Sequence, residues 1–154
     1  MAKTLLASLS MIFLIAAAIQ GKGKALPHEI LSISLGMTRS DVHARLQKIG
    51  HLEKEERKRQ EVWSLKQNAF FSHLLIGFDS DFKVRYVTAV ARPNGRRMRY
   101  SDLADLKLAK QMRLLQNFQY EWQVPARGNL PAYVVMARGT DPRYLTTYSL
   151  KSVD

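Results

Sequence analysis

Phe118-Gln119-Tyr120-Glu121-Trp122-Gln123-Val124 alternates apolar and polar residues without a break. A strand sends successive side chains to opposite faces, so this stretch predicts a half-buried β-strand with Phe118, Tyr120, Trp122 and Val124 inward. Working toward the C-terminus, Pro125 to Pro131 reads as a loop. Tyr133, Val135 and Ala137 read as the inward residues of another strand, Gly139 to Pro142 as a turn and Tyr144 to Leu150 as a last strand. Working back, Ser101 predicts a helix cap, with Asp102 and Asp105 in a first turn whose dipole favours carboxylates. Leu103, Leu106, Met112 and Leu115 would form the buried side of that helix.

The N-terminal half carries a similar order. Thr38 can cap a helix with Asp41 three residues on, and Met37 and Val42 are spaced as a hydrophobic staple. Val42, Leu46 and Ile49 line one face and Gly50 would end the helix. His51 to Gln60 is dense in charge and reads as a loop or a frayed helix extension. Trp63 and Leu65 then alternate with Ser64 and Lys66, and Gln67-Asn68 signals a turn. Phe70, Leu74, Ile76 and Phe78 mark the inward side of one strand; Val84, Tyr86 and Val90 mark that of the next. Pro93-Asn94-Gly95 closes the half. The order helix-strand-strand-strand thus occurs twice, over about residues 31–93 and 100–151. Short connections imply antiparallel pairing, since parallel neighbours need long crossovers. The expected fold class is α+β: an antiparallel sheet with helices on one face, in one domain over residues 26–154.

Residues 1–25 read differently. Lys3 precedes an uncharged run from Thr4 to Gly21, followed by Lys22, Gly23, Lys24 and Ala25. A basic start, an apolar middle and a small-x-small exit make a secretory signal peptide cut before Leu26, or a retained N-terminal anchor facing outward. The strongly apolar part, Leu5 to Ile19, would reach roughly 22 Å as a helix, short of a ~30 Å hydrocarbon core. The expected location is therefore periplasmic or secreted after cleavage, with the inner-membrane anchor as the alternative. The chain has no cysteine, which excludes thiol catalysis, Cys-ligated zinc and a lipidated N-terminal cysteine. Net charge is +11, and Lys3, Lys22 and Lys24 are the only charges in residues 1–25, so +8 belongs to the remainder. A basic exported domain points to anionic envelope partners, either an envelope protein or an anionic lipid surface, rather than to nucleic acid.

Ile33-Ser34-Leu35-Gly36-Met37-Thr38-Arg39-Ser40-Asp41-Val42 resembles the "GMT" opening of the SmpA/OmlA (BamE-type) envelope lipoproteins. The resemblance continues through Trp63 and Leu75-Ile76-Gly77-Phe78-Asp79, covering roughly Leu31 to Val90. That family is similar in fold to the β-lactamase-inhibitor-protein-like domains, whose duplicated arrangement the tandem pattern also resembles. The resemblance implies a non-enzymatic envelope protein that works by binding, linked to outer-membrane assembly. A secreted inhibitor-like protein that binds an enzyme through its sheet face is the alternative. Two features depart from the family: the lipidated cysteine is missing, and Asp81-Phe82 stands where an Asp-Gly hairpin turn is usual.

No constellation for catalysis or cofactor binding stands out. His28, His43, His51 and His73 form no metal-ligand motif; His43 and His51 could share a rough helix face. Asp79 and Asp81 are spaced for side-chain-to-backbone turn bonds. No G-x-S-x-G or G-x-G-x-x-G is present. The candidate binding residues are Arg92, Arg96, Arg97, Arg99 and Tyr100, the densest basic patch, suited to phosphate headgroups or acidic side chains. Lys54 to Arg59 is offset by Glu53, Glu55 and Glu56. Trp63 and Trp122 belong to the core by their alternation. A binding surface on the helix-free sheet face would be marked by exposed Phe71, Val87 or Val134.

Overall fold

The computed structural model describes residues 24–153, so the expected leader, residues 1–25, lies outside the described residues except for Lys24 and Ala25. A lead-in folds into a two-stranded ribbon, β1 (Glu29–Ile30) with β2 (Ile33–Ser34), followed by a single helix, α1 (Arg39–Leu46). Two four-stranded meanders come next. The first is β3 (Gly50–Glu56), β4 (Gln60–Leu65), β5 (Phe71–Phe78) and β6 (Val84–Ala91). The second is β7 (Lys110–Leu114), β8 (Asn117–Val124), β9 (Tyr133–Gly139) and β10 (Thr147–Ser152). They join through their last strands into one eight-stranded antiparallel sheet of order β3-β4-β5-β6-β10-β9-β8-β7.

One face of this sheet is covered. Trp63, Leu74, Ile76, Val87, Leu150 and Val135 supply its buried centre. Val42 and Leu46 of α1 join the same core, as do Ile30 and Ile33 of the ribbon and Tyr100 and Leu103 of the segment before β7. Hydrogen bonds across the layer fix this cover. The Tyr133 hydroxyl donates to the Pro27 carbonyl at 3.1 Å, and the Trp122 indole N–H donates to the Asp105 carbonyl at 3.0 Å.

The domain is mostly β, with 50% strand and 11% helix, and not the α+β layering expected from the sequence. The second helix does not form. Residues 100–102 and 106–108 make short 3-10 turns, and Lys110–Leu114 becomes β7. The reason is tertiary. The Asp105 side chain caps the Lys107 N–H at 2.9 Å, its carbonyl is taken by Trp122, and β8 offers a full edge on which Lys110 to Leu114 pair. A complete ladder outweighs modest helix propensity. Leu115, expected on the buried side of that helix, is 94% exposed in the β7–β8 turn.

The first helix starts where its cap predicts: the Thr38 hydroxyl accepts from the Asp41 N–H at 3.2 Å. Its end differs. Ile49 is outside α1 and partly exposed, and Gly50 opens β3 instead of closing the helix. A Cβ on Gly50 would sit 2.3 Å from the Ser64 carbonyl oxygen, so glycine is required by close strand approach. The charged run His51 to Gln60 is a hairpin, β3–β4, rather than a loop. On β6 the inward set shifts: irregular register near Arg85 leaves Val84, Val87 and Ala89 inside and turns Tyr86, Thr88 and Val90 to the other face.

Candidate functional site

Among the described residues no helix lies on the second face of the sheet, and its centre is built by β6, β10 and β9. The Thr88 and Ser149 hydroxyls meet across β6 and β10 at 2.8 Å. Met136 stands opposite Ser149 on β9, and Arg138 beside it donates from Nε to the Gln119 side-chain oxygen at 2.6 Å. Tyr86 lies over Gly77 on the neighbouring strand; a Cβ there would fall 1.9 Å from its ring, so the glycine is the seat of the tyrosine. The Tyr86 hydroxyl donates to the Gln60 side-chain oxygen at 2.5 Å, and burial raises its pKa above the ordinary value.

Two adjoining depressions share Arg85 and Tyr86. One, of about 380 Å³, lies between Thr88, Ser149, Met136, Arg138 and Lys151. The larger, of about 910 Å³, runs to the end of the sheet between the β3–β4 turn, the β5–β6 turn and Pro131, and holds Arg57, Arg59 and Lys83. The acids that line it, Asp79 and Glu56, are already engaged. The Asp79 carboxylate accepts from the Asp81 and Lys83 N–H groups at 2.8 and 2.9 Å, the turn role its spacing predicts. Glu56 accepts from Lys54 at 2.5 Å and from the Gln60 side chain at 3.0 Å, and Lys54 holds its carboxyl below the usual range. Glu55 pairs with Arg39 at 2.9 Å, and Glu53 lies between His73 and His51 at 3.4 and 3.8 Å. Of the glutamates that offset this run in sequence, Glu53 and Glu55 are thus engaged outside it, and Glu56 pairs with Lys54 within it. Arg57, Arg59, Lys83, Arg85, Arg138 and Lys151 make no ion pair among the described residues.

The arginine-rich patch lies at the opposite end of the sheet, after β6. It does not act as one unit. The Arg92 guanidinium donates to the Leu65, Asn68 and Phe71 carbonyls at 2.7, 2.8 and 3.2 Å, holding the β4–β5 connection. Tyr100 is buried, donates to the Asp141 carbonyl at 3.1 Å, and has its hydroxyl pKa pushed up to about 12, chiefly by burial. Arg97 pairs with Asp141 at 2.8 Å and stacks on Tyr144 at 3.9 Å. Arg96 covers the Phe70 ring at 5.6 Å, and Arg99 opens the 3-10 turn, its N–H donating to Asp102 at 2.8 Å. Arg96, Arg97 and Arg99 are the three of the five that are exposed; Arg92 is half-buried.

A second ionic group sits under α1, on the covered face. Glu61 is fully buried. Its carboxylate accepts from Arg39 Nε at 2.6 Å and Trp63 Nε1 at 2.8 Å, and meets His43 Nε2 at 2.8 Å. Burial pushes the Glu61 pKa up, but the bonds from His43, Trp63 and Arg39 outweigh it and hold it below the ordinary value. Arg39 continues to Glu55 and lies under the rings of Phe78 and Phe82 at 5.7 and 5.8 Å. Three side chains converge on one buried carboxylate, so the group pins α1 to β4. His43 and His51 do not share a face: His43 belongs to this group, whereas His51 is on β3. Among the described residues no three His, Asp or Glu side chains gather to hold a metal ion.

Phe71 and Val87 lie in the core, and of the three proposed markers of the open face only Val134 is on it, half-buried. The face is hydroxylated and cationic rather than aromatic. Sequence reasoning passes over Glu61, although it occupies the inward phase of Glu61, Trp63 and Leu65, where a lone acid signals a buried partner. It also passes over Arg57 and Arg59, whose neighbouring glutamates cancel them only on paper. Among the described residues no helix is long and apolar enough to cross a membrane. Comparison with protein-family models, with curated proteins and with solved structures finds no match to the chain.

Proposed function

We propose that this chain is an exported cell-envelope protein without catalytic activity that works by binding another protein through the open face of its sheet. One observation carries the reading. Among the described residues an eight-stranded sheet is covered on one side only, and its bare side is a shaped, hydroxyl-lined depression flanked by exposed cations. Soluble antiparallel sheets tolerate one wet face, but a plain solvated face needs neither a tyrosine seated on a glycine nor cations left without partners. The basic leader and the SmpA/OmlA resemblance of residues 31–90 support the envelope setting. The Glu61 group supplies rigidity, because it locks the helix that backs the sheet. Arg96, Arg97 and Arg99 give a secondary contact for anionic lipid at the far end.

The test is chemical crosslinking in intact cells, followed by fractionation and N-terminal sequencing. The protein is expected in the envelope fraction, starting at Leu26 if the leader is cleaved, with crosslinks carried by the open face. An enzyme captured there and inhibited by the purified protein moves the reading to the inhibitor-like alternative. A cytoplasmic protein beginning at Met1, with crosslinks on the α1 side, overturns it.

A further inference from the structure

The open-face reading leaves the partner's chemistry undefined; resting on that reading, we propose that the groove takes an acidic, extended segment of the partner polypeptide. The two depressions run from Gln60 on β4 across β5, β6 and β10 to Met136 on β9. Four inter-strand steps make about 19 Å. That is too long for one phosphate group and matches about six residues of extended chain. Along this path stand Arg57, Arg59, Lys83, Arg85, Arg138 and Lys151, all exposed and without ion-pair partners among the described residues. The acids lining it are Glu56 and Asp79, both engaged within the fold; Asp81 stands in the β5–β6 turn at its rim and Glu121 opposite Met136 on β8, against six cations. Charge complementarity therefore calls for a run of carboxylates.

Two further observations narrow the ligand. Single-stranded nucleic acid needs aromatic platforms for its bases, and the groove's aromatic side chain on the open face, Tyr86, has its ring on Gly77 and its hydroxyl on Gln60. The hydroxyls at its centre, Thr88 and Ser149, suit hydrogen bonding to carboxylates and peptide groups. A bilayer presents a broad surface to a protein and does not fill a groove.

The β3–β4 turn shapes one end of the groove. Arg57 and Lys58 have φ of +51° and +62°, and the Arg59 N–H closes on the Glu56 carbonyl at 3.1 Å, which makes a type I′ turn. That turn favours Asn-Gly. Two long cationic side chains in left-handed conformation cost stability. The turn sets Arg57 at the mouth of the groove.

The test is fluorescence anisotropy with labelled hexaglutamate, using the protein in the N-terminal form the cell delivers. Hexaglutamate is expected to bind in a salt-sensitive way, and hexaglutamine is not. Arg85→Glu with Arg138→Glu should weaken binding by about tenfold or more, as for two reversed contacts to charged groups. Arg96→Ser with Arg99→Ser, at the opposite end, should leave it within about twofold, as for charges beyond a Debye length. If the reversal variant melts abnormally, Arg85→Gln with Arg138→Gln is read in its place. Binding that ignores the groove substitutions overturns the proposal. So does a six-nucleotide single strand or a phosphatidylglycerol vesicle that competes better than the peptide. Loss of peptide binding alongside retained open-face crosslinks in cells sinks only the acidic segment; loss of both sinks the face itself.

Discussion

Replacing Glu61 by leucine tests whether the ionic group under α1 holds the helix to the sheet. Glu61 is fully buried and accepts from Arg39, His43 and Trp63 at 2.6 to 2.8 Å. Leucine leaves the Trp63 indole N–H without a partner, about 1–3 kcal/mol by itself. It also removes the charge-assisted bond to Arg39, although Arg39 keeps Glu55 at 2.9 Å and is not orphaned. The total expected is about 3–5 kcal/mol, the usual cost of breaking a buried pair. Against a typical domain stability of about 5–15 kcal/mol this is a large fraction. With a urea slope of about 2 kcal/mol per M, the midpoint should fall by about 1.5–2.5 M. Urea unfolding followed by tryptophan fluorescence is suited to the measurement, because Trp63 is both a member of the group and a reporter. Glu61→Gln keeps the shape and should lose about half as much, since its amide cannot accept from every donor. A leucine variant as stable as the wild type would refute the reasoning: the group would then be replaceable by plain packing.

Other outcomes follow from the same geometry. The Glu61 pKa is lowered by its hydrogen bonds, so its contribution is complete above the unfolded value of about 4.3 and is lost as pH falls through the folded value. Acid titration of stability should therefore be flatter in Glu61→Gln than in the wild type, and parallel curves would contradict this. Gly50→Ala places a Cβ 2.3 Å from the Ser64 carbonyl oxygen and should cost at least about 2 kcal/mol in thermal or urea unfolding, because backbone must move. Lys58→Gly relieves a φ of +62° in the β3–β4 turn and should stabilise by about 1 kcal/mol, seen as a higher melting temperature; a lower one would remove the strain argument. Gly77→Ala drives into the Tyr86 ring at 1.9 Å and should weaken open-face binding more than it lowers stability.

The local signals along this chain are legible where one residue sets its own conformation. Thr38 caps α1, Asp79 bonds the turn after β5, and the alternation of residues 118–124 gives β8. What stays hidden is set by partners distant in sequence. Lys110 to Leu114 looks helical because its neighbours Ser101, Asp102 and Asp105 imitate a helix start, yet the free edge of β8 decides its state. The irregular register at Arg85 moves Tyr86 and Thr88 to the open face, and no periodicity in the sequence announces it. The binding patch follows the same rule. Arg92 and Tyr100 look available beside other arginines, but backbone carbonyls and burial claim them. Arg57 and Arg59 look neutralised until Glu55 and Glu56 are found bonded to Arg39 and Lys54. Charge counted along a chain differs from charge presented by a surface.

The central claim is that the bare face of the sheet meets a partner. Its most direct measurement is site-specific photocrosslinking in intact cells, with the photoreactive residue placed at Met136 or Gln123 on the open face, and at Lys48 or Leu108 on the other side. The account predicts one discrete product from Met136 and Gln123, reduced by Arg85→Glu with Arg138→Glu, and none from Lys48 or Leu108. Equal products from both sides, or a product from Lys48 alone, would contradict it.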